Sequence, residues 1–252
     1  MTGHVRIGST RDHVTEVVLC RPPNNFFSAA MIDELADAWQ SLDESRDTRA
    51  IVLSAEGKHF CAGADFARSS ATDETADLYR AAARLFRTRK PVVAAVRGAA
   101  VGGGLGVALA CDFRVASRES RLSANFARLG FHHGFGLSVT LPRLIGGQRA
   151  AELLLTGRRV SGADALSIGL VDRCVEDADP TPAAHDLAAE IAASAPLAVE
   201  SIRATLRGDL AERVEAATAH ERHEQERLRR TADFAEGVRA SAERRTPNFS
   251  GE

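Results

Sequence analysis

The most constraining feature of this sequence is the alternation of short β-branched runs with amphipathic helical patterns. Apolar runs at His13–Leu19, Ala50–Ser54 and Pro91–Val96 predict strands. Between them, Ala29–Leu42 and Ala76–Phe86 place apolar residues at three- and four-residue steps, which is typical of helices with one buried face. Because strands that alternate with helices form βαβ units, we expect an α/β fold around a buried parallel sheet.

The same alternation continues towards the middle of the chain and then stops. We predict a buried helix at Gly104–Ala110, a strand at Asp112–Ala116, and a short helix that ends at Gly169, before Leu170–Val175. From Pro182 onward the chain is dense in Ala, Arg and Glu, which favour helix. The sequence therefore predicts a mixed α/β core over residues 1–180 and a helical region over residues 181–252.

Charge and composition exclude several classes of protein. Lys and Arg total 32 against 34 Asp and Glu, so the net charge is −2, and no basic stripe indicates a nucleic-acid or membrane-surface partner. No apolar run approaches the roughly 20 residues that span a bilayer, and the first residues do not resemble a secretory signal. We therefore expect a cytoplasmic protein whose four cysteines are reduced and mostly buried.

Three motifs associated with other chemistries fail on spacing or context. The glycine cluster from Gly102 lacks the last glycine of a dinucleotide-binding fingerprint, because Val107 stands there. Gly136–Thr140 falls one glycine short of a nucleophile elbow. His220 and His223 share a helical face, but the surrounding charges favour a solvated surface over a metal site. We expect no metal and no redox cofactor.

Two glycine-rich segments follow consecutive predicted strands. Gly57–Phe66 follows the strand at Ile51, and Gly98–Gly104 follows the strand at Val92 and opens a helix. Small residues let backbone N–H groups approach a ligand, and the first N–H groups of a helix lack intrahelical partners. Two such loops could form an oxyanion hole by donating one N–H each to one oxygen. The alternative is that these glycines only permit tight helix–sheet packing.

Several motifs together resemble the crotonase (enoyl-CoA hydratase/isomerase) superfamily. They run in order along the chain: RPPNNFFSAAMIDELADAW, HFCAGADF, GAAVGGGLGVALACDFRVAS, TGRRVSGADALSIGLVD and AERRTPNFSG. The resemblance implies a spiral of ββα units with a helical C-terminal trimerisation region, assembled as a homotrimer or a dimer of trimers. It also implies an acyl-CoA thioester substrate, with no separate cofactor because the CoA is part of that substrate.

The resemblance also implies which residues form the site. Ala62 and Gly103 match the two oxyanion-hole donors, and Phe249 matches a tail position that often touches CoA. The remaining substrate-binding candidates lie in the same motifs or in the segment before Gly134: Gly63, Ala64, Asp65, Gly102, Phe126 and Phe131.

The chain departs from the family at the residues that move protons. The two glutamates that activate water in the hydratases are replaced by Gly106 and Phe126, so hydration by the two-glutamate route is not expected. The nucleophilic aspartate of the aryl-CoA dehalogenases would stand at Gly134, and the tyrosine of the decarboxylases at His133. The loop that contains His133 and Gly134 therefore matches the catalytic residues of none of these three enzyme types.

Histidine is the side chain best suited to proton transfer near neutral pH. We predict His133, and after it His132, as the acid or base beside a thioester enolate. The alternative is that both only bond backbone carbonyls. His59 is a weaker candidate for the acid or base, and the alternative is that it only lies in a surface loop. Tyr79 is a weaker candidate for a lid residue that contacts the substrate. The resemblance implies a lyase or isomerase that acts on an acyl-CoA through a thioester enolate, with hydration or isomerisation as the family's usual reactions. Decarboxylation with a histidine acid or base, and non-catalytic acyl-CoA binding, are the alternatives.

Overall fold

The computed structural model of this protein describes residues 3–64 and 72–252, and describes residues 72–75 by their backbone alone. Nine strands occur in the described part of the chain. They are β1 (Val5–Arg11), β2 (Val14–Leu19), β3 (Ala50–Ala55), β4 (Val92–Val96), β5 (Ala99–Val101), β6 (Phe113–Ser117), β7 (Arg121–Ser123), β8 (Arg159–Ser161) and β9 (Arg173–Val175).

The helices alternate with these strands and then continue alone to the end of the chain. They are α1 (Ala29–Glu44), α2 (Thr72–Leu85), α3 (Gly103–Ala110), α4 (Leu137–Ile145), α5 (Gly147–Thr156), α6 (Gly162–Ser167), α7 (Thr181–Ala192), α8 (Pro196–Arg207), α9 (Leu210–Leu228) and α10 (Ala232–Glu243). A 3₁₀ turn, Asn125–Leu129, lies between β7 and α4.

The strands form two sheets. The larger has the order β1-β2-β3-β4-β6-β9, with β1 antiparallel to β2 and every other neighbouring pair parallel. The smaller has the order β5-β7-β8. Strands β3 and β4 are buried along their whole length, as expected for a parallel sheet covered on both faces. The predicted buried parallel sheet is confirmed, although the sequence did not reveal β1 or the smaller sheet.

Successive turns of the chain repeat one unit of strand, short strand and helix. Strand β4 leads into β5 and then α3, and β3 leads through Cys61 and Ala64 to α2. The short second segments pair with one another in parallel, Phe27 with Ala64 and Cys61 with Ala100, and β5 with β7. This stack of second strands beside the larger sheet is the predicted ββα spiral.

Helix α1 shows why the sequence-based boundaries were close. The hydroxyl of Ser28 accepts a hydrogen bond from the N–H of Met31 at the N-cap, and the apolar positions of the helix are buried, including Trp39 at 0 % exposure. A capped helix with one continuous apolar face can be recognised from sequence. Helix α2 begins at Thr72, four residues before its predicted start, because its first turn is polar and adds nothing to the periodic pattern.

The C-terminal helices pack directly on the spiral. Helix α7 covers β3 and β4, α9 lies on α2, and α10 lies on the 3₁₀ turn. From Thr181 onward every described element is a helix, but α7 belongs to the packing of the sheet, so a boundary at residue 180 stays a prediction. In the described part of the chain, no helix has the length and apolar character needed to cross a membrane.

A buried ion cluster attaches α8 to the large sheet. The carboxylate of Asp112 accepts hydrogen bonds from the backbone N–H of Val92 and from the guanidinium groups of Arg203 and Arg207, at 2.9, 2.9 and 2.8 Å. Burial alone would raise the pKa of Asp112, but the two guanidinium groups outweigh it and hold this pKa below its ordinary value. The cluster therefore needs its negative charge.

We expect Asp112→Asn to destabilise the fold by about 3–5 kcal/mol, because it leaves two buried arginines without a counter-charge. Urea unfolding followed by circular dichroism measures the change. The exposed Glu119→Gln is the matched control, with an expected change within about 0.5 kcal/mol. Equal stability of the two variants would contradict this account of the cluster.

Candidate active site

The two glycine-rich segments lie side by side, as the sequence predicted. The N–H of Cys61 donates to the carbonyl of Ala99, and the N–H of Val101 donates to the carbonyl of Cys61, both at 3.0 Å. A Cβ atom added to Gly104 would collide with the Cys61 carbonyl, and one added to Gly63 would lie 3.0 Å from the Val101 carbonyl. The ends of both segments, residues 61–64 and 101–104, therefore run in contact.

The N–H groups of these two segments differ in whether they are already bonded. Ala62 donates to the carbonyl of Asn24 at 2.9 Å, so its N–H is not available to a thioester. Within the described residues, the N–H groups of Ala64 and Gly103 donate to no protein acceptor. Gly103 is the first residue of α3, where N–H groups lack intrahelical partners. The assignment of a donor role to Ala62 is therefore corrected, and Ala64 is the donor that this geometry leaves free.

The other predicted binding residues take different positions around these donors. The N–H of Gly102 donates to the carbonyl of Ser123 at 2.8 Å, so Gly102 holds the loop in place. The ring of Phe126 lies beside Gly102, 3.6 Å from where a Cβ atom of that residue would be. Phe131 packs on Phe126 with ring centroids 5.4 Å apart. Asp65 lies outside the described residues.

An aromatic ring fills the space where the hydratases carry their first glutamate. A Cβ atom added to Gly106, in the first turns of α3, would lie 2.6 Å from three atoms of Phe135. Phe135 is 1 % exposed, and its ring contacts that of Phe27 edge-on, at 6.2 Å between centroids. The packing of Phe135 therefore leaves no room for a carboxylate side chain at position 106, and only glycine fits there without a shift of its neighbours.

We expect Gly106→Ala to destabilise the protein by about 1–3 kcal/mol, because the added methyl group overpacks against Phe135. In the double variant Gly106→Ala, Phe135→Gly, most of this cost should disappear, since the colliding atoms are gone. A double-mutant cycle of unfolding free energies measures the coupling. Additive effects would show that the two residues do not compete for the same space.

The loop before α4 places the two predicted histidines together, against α9. Their rings stack with centroids 4.1 Å apart, and Nδ1 of His132 bonds the carbonyl oxygen of His133 at 2.8 Å. Nε2 of His133 is shielded from solvent, has no hydrogen-bond partner in the described structure, and lies 3.8 Å from Oε1 of Glu221. His132 therefore has the backbone-bonding role that was the alternative, whereas His133 faces a carboxylate.

Glu221 is a buried carboxylate that the sequence analysis missed. It is 1 % exposed, and it accepts hydrogen bonds from the N–H groups of Gly136 and Ser138 and from the Ser138 hydroxyl, at 2.8, 3.2 and 2.6 Å. It therefore fixes the loop that carries His133 and gives that ring an anionic neighbour. Because Glu221 lies about ninety residues further along the chain, only the packing of α9 reveals the pair.

Burial lowers the pKa of His133 to about 4, and the nearby rings of His132 and His220 add to this effect. The His133 imidazole is therefore neutral at pH 7, the form that accepts a proton. The carboxylate of Glu221 would stabilise the imidazolium after such a transfer.

The lowered pKa of His133 predicts a pH-dependent stability. Between pH 6.5 and 4 the unfolded chain binds a proton on this residue that the folded protein does not. The unfolding free energy should therefore fall with decreasing pH through this window, by up to about 1.4 kcal/mol per pH unit from this group. His133→Gln should flatten that dependence in denaturant titrations, whereas the exposed His223→Gln should not.

Tyr79 lies deeper in the site than the sequence suggested. A Cβ atom added to Gly134 would collide with the Tyr79 hydroxyl, so this hydroxyl occupies the space in which a side chain at position 134 would begin. It donates to Oε1 of Gln225 at 2.8 Å, and Nε2 of Gln225 donates to the His132 carbonyl at 2.8 Å. Burial raises the pKa of Tyr79, so the phenol remains protonated.

The two remaining candidates have structural contacts. Nδ1 of His59 accepts a hydrogen bond from the N–H of Ala99 at 3.1 Å and so supports the turn before β5. Phe249 is 41 % exposed on a tail that Asp233 and Glu236 hold against α10, through the N–H groups of Ser250, Gly251 and Asn248. The tail is ordered, but its contact with CoA stays a prediction.

Known proteins match both the sequence and the structure. The family model described as enoyl-CoA hydratase/isomerase matches residues 9–252. The chain belongs to the enoyl-CoA hydratase/isomerase family. It is therefore a crotonase-fold member of a family of enzymes that process acyl-CoA thioesters.

Individual relatives agree with this assignment. The enoyl-CoA hydratase/isomerase YngF of Bacillus subtilis is 35% identical to this chain over 248 residues, which cover 95% of each protein. A crystal structure of an enoyl-CoA hydratase/isomerase from Pseudoalteromonas atlantica has a TM-score of 0.85 at 31% identity, covering 98% of this chain and 100% of that one. An enoyl-CoA hydratase structure from Mycobacterium avium subsp. paratuberculosis has a TM-score of 0.84 at 28% identity, covering 99% and 100%.

Proposed function

We propose that this enoyl-CoA hydratase/isomerase family member forms an enolate from its acyl-CoA substrate without the two-glutamate water machinery. The observation that carries the proposal is the pair of N–H groups, from Ala64 and Gly103, that donate to no described acceptor and lie on two loops in contact. Two such donors directed at one oxygen stabilise the negative charge that a thioester carbonyl gains as an enolate forms. Each donor is worth about 3 kcal/mol in comparable sites.

The proposal excludes direct hydration because both water-activating positions are apolar or filled. Phe135 occupies the space beside Gly106, and Phe126 presents a ring beside Gly102. Neither residue can hold or activate a water molecule. Rings at these positions also keep water away from an enolate, which favours protonation of the enolate on carbon.

His133 is the proposed base. Its neutral imidazole takes a proton from the carbon next to the thioester, and the C–H electron pair becomes the enolate double bond. The imidazolium then returns the proton to carbon, at the same or a conjugated position, with Glu221 balancing its charge at 3.8 Å. Decarboxylation would reach the same enolate by loss of CO₂, and the proton then added to carbon would come from water, with His133 passing it on.

Exchange of the α-proton in deuterated water tests this assignment. We expect wild-type protein to exchange the α-protons of saturated acyl-CoAs, and His133→Gln to slow the exchange by at least 100-fold. Glu221→Gln should slow it less and shift its pH profile, because it removes only the charge that stabilises the imidazolium. His223→Gln, on the exposed side of α9, is the control and should exchange at the wild-type rate.

Two results would contradict the proposal. Unchanged exchange in the double variant His132→Ala, His133→Ala would show that another group moves the proton. Absence of exchange and turnover in the wild type, across acyl-CoAs that it binds, would favour the non-catalytic alternative.

The predicted assembly as a homotrimer or a dimer of trimers is retained as part of this proposal. Helix α8 leaves large apolar side chains exposed on the single chain, Leu197 at 80 %, Ile202 at 60 % and Leu206 at 70 %. Exposed apolar side chains of this size on one helix are typical of surfaces that a neighbouring subunit covers.

A further inference from the structure

A guanidinium group that forms no ion pair with the described residues lies close to the proposed site. Arg229 follows directly after α9, and its Cζ atom is 5.7 Å from the ring centroids of both Phe131 and Phe234. Those two rings contact each other edge-on at 5.1 Å. Cation–π contacts with two rings hold the guanidinium in place without neutralising its charge.

Two arginines in the last turns of α9 form ion pairs, whereas Arg229 forms none within the described residues. Arg222 pairs with Glu226 at 3.0 Å, and Arg227 pairs with Glu224 at 2.7 Å. Within the described part of the chain, the Arg229 side chain makes no ion pair or hydrogen bond, and its Nε is shielded from solvent. Burial lowers the pKa of Arg229 by more than the nearby charge of Glu226 and the Tyr79 phenol raise it. An anion supplied by a ligand would offset the cost of this burial.

Arg229 stands at the end of a row of rings that begins at the oxyanion loop. Phe126 lies beside Gly102, Phe131 packs on Phe126 at 5.4 Å, and the guanidinium lies over Phe131. We call Phe126, Phe131 and Phe234 the aromatic row. Tyr79, whose hydroxyl lies beside Gly134, also interacts electrostatically with Arg229. The aromatic row therefore connects the oxyanion loop to this cation.

We propose that Arg229 binds a carboxylate at the far end of the acyl group, so that the substrates are CoA thioesters of dicarboxylic acids. The guanidinium offers two parallel N–H donors, which match a carboxylate in geometry and charge. The aromatic row would contact the apolar part of the acyl chain between the two ends. The inference rests on the proposed function only in placing the thioester carbonyl at Ala64 and Gly103.

Binding of saturated acyl-CoAs, which α-proton exchange converts into no other compound, to the wild-type protein is the first test. Isothermal titration compares succinyl-, glutaryl- and adipyl-CoA with the methyl ester of each, which has nearly the same shape but no charge. We expect at least one of the free acids to bind ten-fold or more tightly than its ester. Equal affinities throughout the series would overturn the proposal.

Variants then assign the preference to Arg229. Arg229→Met keeps an unbranched side chain against the rings and should abolish the preference for the acid while leaving the affinity for the ester within about three-fold. Arg229→Lys should retain part of the preference for the acid, since the positive charge remains but the two parallel N–H donors of the guanidinium are lost. Arg227→Met, two residues away on the exposed face, is the matched control and should bind like the wild type. Unchanged affinity of the esters shows that each variant is folded.

The anion could also be a phosphate of CoA, and free CoA distinguishes the two sources. The proposal predicts the same affinity for free CoA in wild type and Arg229→Met. If Arg229→Met instead binds free CoA, the acids and the esters all more weakly than the wild type, the proposal is wrong and Arg229 contacts a phosphate of CoA. Because no step of this test needs an enolate, failure of α-proton exchange with an intact preference for acids would remove the proposed function alone.

Discussion

The pairing of the short second strands is the interaction on which the site depends. Cys61 bonds to the backbone of Ala99 and Val101, so one turn of the spiral lies against the next. That contact fixes two loops from different parts of the chain at a shared edge, where the N–H groups of Ala64 and Gly103 have no acceptor among the residues that the structure describes. Main-chain donors held in this way need no reorganisation when charge develops on a ligand, which is why such sites stabilise enolates effectively.

The protein keeps this charge-stabilising frame and replaces the groups around it. The resemblance matches Gly106 and Phe126 to the two water-activating glutamates of hydratases, and aromatic rings fill both regions in this structure. The polar side chains beside the histidine loop come from two helices: α9 supplies Glu221 and Gln225, and α2 supplies Tyr79. The change in chemistry that we propose follows from this exchange of water-holding groups for rings.

The C-terminal helices have two roles in this arrangement. Helix α9 fixes the histidine loop through the Glu221 carboxylate and, directly after its end, places Arg229 over Phe131. Helix α10 packs on the 3₁₀ turn that carries Phe126 and anchors the chain's last residues. Helices that follow the spiral in sequence thus supply both the neighbour of the proposed base and the proposed end of the acyl site.

The sequence alone determined the fold class, the main strands and helices and the family, because periodicity and caps act over a few residues and the motifs are contiguous. It also showed that Gly106 and Phe126 cannot act as carboxylates. Only the tertiary structure decided which N–H groups are free, since the bond from Ala62 to Asn24 joins segments that are distant in sequence. The same holds for the partners of His133 and Tyr79 and for the position of Arg229 over two aromatic rings. Each of these depends on how α9 packs against the spiral, and no local pattern encodes that contact.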